Sequence, residues 1–338
     1  MRNVRKGSSL SRDKEDRLPG YGFGTSGLGN LGCTLSESEA REVLESAWQS
    51  GFRYFDTAPL YGHGLSELRV GQFLREQHRD SFMVSTKVGR YLVPPLGRTV
   101  DHGLWTPSSG LLPVIDYSYE GTMRSLEQSH SRLGLDRIDI VFIHDLDRRT
   151  QGAAFNKRRE QAVLGAYKAL DELRRAGHIK MIGIGLNEAD VAANFIRDVN
   201  IDIAMIAGRY TLLDQSAAID CLPTAMTKGT KIVAAGVFNS GILASGAVPN
   251  ATYDYSKSSP EILSRVVQIE RVCLRHGTPI AAVAAQFSLA HPAVCTVVLG
   301  GTTAEHAEAC YRALTFPVPH ELWKDLYNQG LLPTTPQH

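Results

Sequence analysis

Between Gly22 and Ala313 short apolar runs and helical segments alternate eight times, with no change in composition that would mark a linker. Repeated strand–helix units form a parallel sheet, either open with helices on both faces or closed into a ring. Eight units in one uninterrupted stretch predict the closed form, a single-domain (β/α)8 TIM barrel. The expected strands are Gly22–Thr25, Phe52–Asp56, Phe82–Lys87, Ile138–Ile143, Ile179–Ile184, Ile203–Ile206, Lys231–Ala235 and Val294–Leu299. Residues 1–17 are polar and read as an N-terminal arm, 18–330 as the barrel and 331–338 as a C-terminal tail. Val88 to Asp116, rich in Gly and Pro, is too long for a plain connection. It is expected to be a substrate-covering loop after strand three, with Tyr91, Trp105 and Tyr117 as its aromatic contacts.

Three of these strands end on or just before a titratable residue: Asp56, Lys87 and His144. In a barrel of this kind all strand C-termini open on one face, where active sites lie. Ala58-Pro59 turns the chain after Asp56 toward Tyr61, so an Asp, a Tyr, a Lys and a His are expected to converge. A phenol titrates near about 10 and is a weak acid or base at neutral pH, but a neighbouring ammonium favours the phenolate. Lys87 can supply that charge, Asp56 can hold Lys87, and His144 can position a substrate oxygen or relay a proton. The set suits proton transfer at a carbonyl or hydroxyl oxygen. Taken singly, Asp56 also reads as a turn cap and Tyr61 as an ordinary loop aromatic; the joint placement favours chemistry.

Gly22, Gly24 and Gly27 spell G-x-G-x-x-G, a dinucleotide fingerprint that has to open directly into a helix. Here the next helix is capped at Thr34 or Ser36, well past the last glycine, so a glycine-rich strand end bordering a ligand is the better reading. With a net charge of +1 there is no electrostatic reason to expect nucleic acid or an anionic membrane as partner. No run reaches the roughly 18 apolar residues of a membrane span, and no apolar segment follows the basic N-terminus as in a secretory signal. The five cysteines are scattered and read as reduced thiols, which points to the cytoplasm. His63, His78, His102 and His130 lack metal-ligand spacing, so no metal is expected. A homo-oligomer is left open.

The stretch Gly51-Phe52-Arg53-Tyr54-Phe55-Asp56-Thr57-Ala58-Pro59-Leu60-Tyr61-Gly62, with Ser66-Glu67, resembles the signature of the aldo-keto reductases. Thr86-Lys87 and Arg132-Leu133-Gly134-Leu135-Asp136-Arg137-Ile138-Asp139 carry the same resemblance, which extends over roughly Leu18 to Ala313. It implies a barrel that binds a nicotinamide cofactor at its C-terminal face, with the catalytic tetrad on Asp56, Tyr61, Lys87 and His144. Gly24-Thr25-Ser26-Gly27-Leu28-Gly29, Asp116-Tyr117-Ser118, Ile143-His144-Asp145 and Arg209-Tyr210-Thr211-Leu212-Leu213-Asp214 are most similar to one branch. That branch holds aldose 1-dehydrogenases of the L-fucose or D-threo-aldose type and pyridoxal 4-dehydrogenase.

The resemblance further implies cofactor contacts at Gly24, Thr25, Ser26, Asn187, Tyr210, Phe238, Ser240, Gly300, Gly301, Thr302 and His306. Family members that prefer NADP carry basic residues after strand eight; here Gly300 stands at the lysine position and His306 at the arginine position. A 2′-phosphate there lacks a permanent cation and meets Glu305, so NAD is expected in preference to NADP. The family's aromatic that stacks on nicotinamide after strand seven is absent; Ala235-Gly236-Val237-Phe238 stands there, with Tyr210 or Phe238 as substitutes. The expected activity is NAD-dependent oxidation of a cyclic hemiacetal, an aldose or pyridoxal, to its lactone. The rival expectations are an NADPH-dependent carbonyl reductase and a non-catalytic NAD(P)-binding subunit or sensor.

Overall fold

Side chains alternate between the two faces of a strand, so the parity of each strand decides what fills the barrel and what reaches its mouth. The computed structural model describes residues 18–106 and 108–333; the arm expected over 1–17 and the tail from 334 onward lie outside them. Its barrel strands are β1 (Tyr21–Gly24), β2 (Tyr54–Asp56), β3 (Met83–Val88), β4 (Ile140–His144), β5 (Met181–Leu186), β6 (Ile203–Ala207), β7 (Lys231–Ala235) and β8 (Val294–Leu299). They close in the order β1-β8-β7-β6-β5-β4-β3-β2, every neighbouring pair parallel. The (β/α)8 barrel is therefore the fold.

Tyr54, Met83, Ile140, Phe142, Met181, Ile203, Met205, Val233 and Val298 pack together inside the ring, with Leu18 ahead of β1 at its base. Asp56 lies two residues beyond Tyr54, Lys87 four beyond Met83, and His144 two beyond Phe142, so all three share the inward parity. A Cβ at Gly22 would stand 2.3 Å from the Tyr54 ring. That glycine therefore admits a large aromatic into the narrow ring, which is its physical role in the G-x-G pattern.

Around the strands, helices bury one stripe each. Glu37–Ser50 starts with a capping box between Ser36 and Glu39 and turns Ala40, Val43, Leu44 and Ala47 inward. One expectation changes: the stretch after β3 is not wholly irregular, because Arg90–Val93 pairs antiparallel with Leu112–Ile115. The helical run from Phe155 to Arg175 carries a π-turn over Ala162–Ala166. There the Ala166 amide donates to the Tyr117 carbonyl at 2.9 Å, and a Cβ on Gly165 would lie 2.7 Å from that same oxygen. Wide winding at this point serves a contact outside the helix. Leu331 and Leu332, read from sequence as the start of the tail, are buried with Trp323 and Leu326. Among the described residues no helix is long and apolar enough to cross a membrane.

Candidate functional site

Asp56, Lys87 and His144 come from three consecutive strands of the ring, β2, β3 and β4, and all open at its C-terminal mouth. Lys87 Nζ donates to Asp56 Oδ2 at 2.7 Å and to the Thr57 carbonyl at 2.8 Å. Asp56 Oδ1 in turn accepts from Ser85 Oγ at 2.6 Å, and Ser85 shares a 2.9 Å hydrogen bond with the Tyr54 hydroxyl. Lys87 and Asp56 are both essentially sealed from solvent. A charge pair this deep persists only because every charged atom has a partner.

The Tyr61 ring lies under the Lys87 ammonium, 4.7 Å from nitrogen to ring centroid. His144 meets the same ring edge-on at 5.9 Å, and Trp105 covers it at 5.2 Å. Sequence reasoning expects Lys87 to lower the Tyr61 pKa; the structure reverses that. Burial first, then the Asp56 and Asp145 carboxylates, push the phenol well above its ordinary value. Tyr61 keeps part of its surface open, yet both carboxylates act in the same upward direction. The ammonium sits over the ring face and is neutralised by Asp56, so it does little for the phenolate. Burial, followed by the Lys87 and Arg90 charges, holds His144 well below its ordinary range. Its imidazole is neutral at pH 7 and able to donate one N–H.

The candidate aromatics separate. Trp105 joins the site, tied to Leu31 by an isolated antiparallel bridge. Tyr91 does not: it lies on the hairpin after β3, beneath the Arg124 guanidinium at 4.8 Å. Tyr117 does not face substrate either; it is buried behind the site, and its hydroxyl donates to the His144 carbonyl at 2.7 Å. It positions His144 from below.

Among the candidate cofactor contacts, Gly24 and Ser26 are half-buried at the rim. The Thr25 hydroxyl is withdrawn: it donates to the Asp56 carbonyl at 2.8 Å and meets Ser66 Oγ at 2.8 Å, tying β1 to β2. Tyr210 packs its ring on Phe287 and His291, among the outer helices. Phe238 is half-buried in the loop after β7. Asn187, just past β5, is fixed through its carbonyl, which accepts from Arg209 Nε at 2.6 Å. Ser240 Oγ accepts the Tyr255 amide at 2.9 Å. Gly300 and Gly301 fold against the start of the chain, where a Cβ on Gly300 would stand 2.4 Å from the Gly24 carbonyl oxygen. His306 Nδ1 turns back toward the Thr302 amide at 3.4 Å.

Sequence reasoning passed over several neighbours. Ser85 shares the inward parity of Lys87 on β3, a signal legible in the alternation. Glu67 is buried and accepts from Thr86 Oγ1 and Arg132 Nε, each at 2.6 Å, joining the helix after Tyr61 to the strand of Lys87. Arg90 pairs with Asp145 at 3.1 Å beside His144. Tyr255 arrives on a hairpin, Thr252–Tyr253 with Ser256–Lys257, nearly two hundred residues from Tyr61 in sequence.

The aldo/keto reductase family model matches residues 21–328. The chain is 40% identical to D-threo-aldose 1-dehydrogenase from a Pseudomonas species, over 94% of this chain and 95% of that one. It is 37% identical to pyridoxal 4-dehydrogenase from Microbacterium luteolum, over 92% and 94%. An aldo-keto reductase from Bacillus halodurans in its holo form superposes with a TM-score of 0.71 at 23% identity, covering 92% of this chain and 91% of that one. The glycerol dehydrogenase of Gluconobacter oxydans gives 0.71 at 20% identity, covering 96% and 99%. At those identities the structural likeness speaks for the fold alone.

Proposed function

Since the chain belongs to the aldo/keto reductase family and is an oxidoreductase acting on CH–OH groups, we propose that it oxidises a cyclic hemiacetal to its lactone with NAD as hydride acceptor. The observation that carries the reading is the Lys87–Asp56 pair seated over the Tyr61 ring, with neutral His144 at the ring edge. Tyr61 takes the anomeric hydroxyl proton as the hydride leaves the same carbon. His144 donates a hydrogen bond to that oxygen and orients it. Asp56 fixes Lys87, and Lys87, with its ammonium over the ring face, fixes the Tyr61 ring. Substrates with such a hemiacetal include aldoses and pyridoxal, the two classes named by the relatives.

The rim residues suit a nicotinamide dinucleotide. Gly24 and Ser26 after β1, Phe238 and Ser240 after β7, and Gly301 and Thr302 after β8 would hold it. The glycines let the β1 and β8 loops approach so closely that no side chain fits between them. No lysine or arginine stands in the run from Gly300 to His306, which favours NAD over NADP. His306→Arg is expected to raise kcat/KM with NADP roughly tenfold by adding a charge-assisted contact. Gly300→Lys is expected to lower the melting temperature instead, because its Cβ meets backbone. Steady-state rates with both cofactors and a thermal melt check the pair.

A raised phenol pKa has a directional consequence. Oxidation uses the phenolate, whose fraction at pH 7 is small and grows about tenfold per pH unit below the pKa. The oxidative kcat/KM is expected to climb steadily from pH 7 to about 10, while the reductive rate, which uses the protonated phenol, stays nearly flat over that range. A plateau reached below pH 8 contradicts the raised value.

The proposal is tested by following nicotinamide absorbance with NAD or NADP against L-fucose, D-arabinose, L-galactose and pyridoxal. Reduction of NAD with one of these, and a lactone in the product, is the expected result. NAD binding without turnover of any of them would favour the sensor or subunit reading.

A further inference from the structure

Beside His144, and outside the proton-transfer set, lies a charged pair that the reaction does not explain. Arg90 is 94% buried by its 6% relative exposure, and one of its terminal nitrogens, Nη1, is sealed without a protein partner. Its Nη2 holds Asp145 Oδ2 at 3.1 Å. The other carboxylate oxygen, Oδ1, stands 3.4 Å from His144 Nε2. Asp145 adopts a left-handed backbone, φ 48°, and its amide donates to the Gly185 carbonyl at 2.9 Å. A turn of that kind aims a side chain that an extended continuation of β4 would send elsewhere. Asp145 acts on Tyr61 and also raises Tyr255, at the tip of the 252–257 hairpin, after burial.

We propose that Asp145, held by Arg90, accepts a hydrogen bond from the neutral hydroxyl on the carbon next to the one oxidised, and so selects polyhydroxy aldoses over pyridoxal. An oxygen hydrogen-bonded to His144 Nε2 lies about 3 Å from it, and its vicinal neighbour then falls to the carboxylate that stands beside that nitrogen. In an aldose this neighbour is a hydroxyl, a donor to Oδ1. In pyridoxal the carbon next to the oxidised one carries no oxygen; the nearest is a phenolate one carbon further on, which has no proton to donate and which the carboxylate repels. Arg90 holds Asp145 in place through the contact of its Nη2 with Oδ2. The inference rests on the hydride-transfer reading above.

D-Arabinose and 2-deoxy-D-ribose differ only in that vicinal hydroxyl. The wild-type enzyme is expected to favour D-arabinose by roughly ten- to a hundredfold in kcat/KM, the range for a hydrogen bond to a charged group. In Asp145→Ala and Asp145→Asn that ratio is expected to fall toward one and the relative rate with pyridoxal to rise. NAD affinity, read by fluorescence titration, shows that each variant is folded. If both sugars slow by one factor and their ratio survives, Asp145 acts only through His144 and the inference is overturned. If the wild type prefers pyridoxal to both sugars, hydride transfer stands and the selection falls. If the wild type oxidises none of the three, the reaction reading fails first and takes the inference with it.

Discussion

Tyr61→Phe is expected to lower kcat by at least about a thousandfold while leaving NAD affinity within a factor of two. The substitution removes one oxygen and keeps the ring that Trp105, His144 and the Lys87 ammonium contact. Packing is therefore preserved, and the loss isolates proton transfer. Without the phenol nothing else at the site has the same reach: His144 is neutral and held from below by Tyr117, and Lys87 is committed to Asp56 and the Thr57 carbonyl. The measurement is NAD reduction under saturating substrate together with a fluorescence titration of NAD. Retention of more than a tenth of the wild-type rate would falsify the role given to Tyr61.

Lys87→Met is expected to lose activity to a similar degree and, unlike the tyrosine change, to destabilise the fold by about 3–5 kcal/mol. The reason is the partner left behind. Asp56 would remain in the barrel mouth, sealed from solvent, with Ser85 Oγ and no cation. A buried carboxylate in that position has to take up a proton or draw in water, and either costs stability. Asp56→Asn in the same chain removes the charge that was orphaned, so the double variant is expected to be more stable than Lys87→Met alone. Chemical denaturation of the four members of this cycle gives the coupling. Equal stability of Lys87→Met and the double variant would show that the orphaned Asp56 carboxylate costs the fold nothing.

Much of this was readable in the chain because strand parity and strand ends are local properties. Asp56, Lys87 and His144 each close an apolar run, and the alternation that buries Tyr54, Met83 and Phe142 also sends those three to the mouth. The aromatics were harder. Tyr91, Trp105 and Tyr117 all lie near one loop in sequence, but the antiparallel pairing of Arg90–Val93 with Leu112–Ile115 separates them. Only Trp105 is carried to Tyr61. Thr25 and Tyr210 engage partners the local pattern does not announce for a related reason: Ser66 for one and Phe287 for the other are far along the chain. Local pattern cannot announce such engagements. The upward shift of Tyr61 was missed because it comes from burial first, and then from the Asp56 and Asp145 carboxylates, which only the folded chain brings to the ring.

The polar chain from Lys87 through Asp56 and Ser85 ends at Tyr54, and below Tyr54 the ring is plugged by Met83, Met181, Met205 and Leu18. The site is thus closed at its base, lined with exchangeable hydrogens for a short depth and apolar beneath. In the proposed reaction a proton gathered at Tyr61 finds only apolar side chains in that floor, so its way out to bulk water is the same mouth that admits the substrate. Each turnover of the proposed reaction would then empty three cargoes, an organic product, the reduced nicotinamide and a proton, through one doorway, and the order in which they leave is a property of that doorway rather than of the chemistry below it.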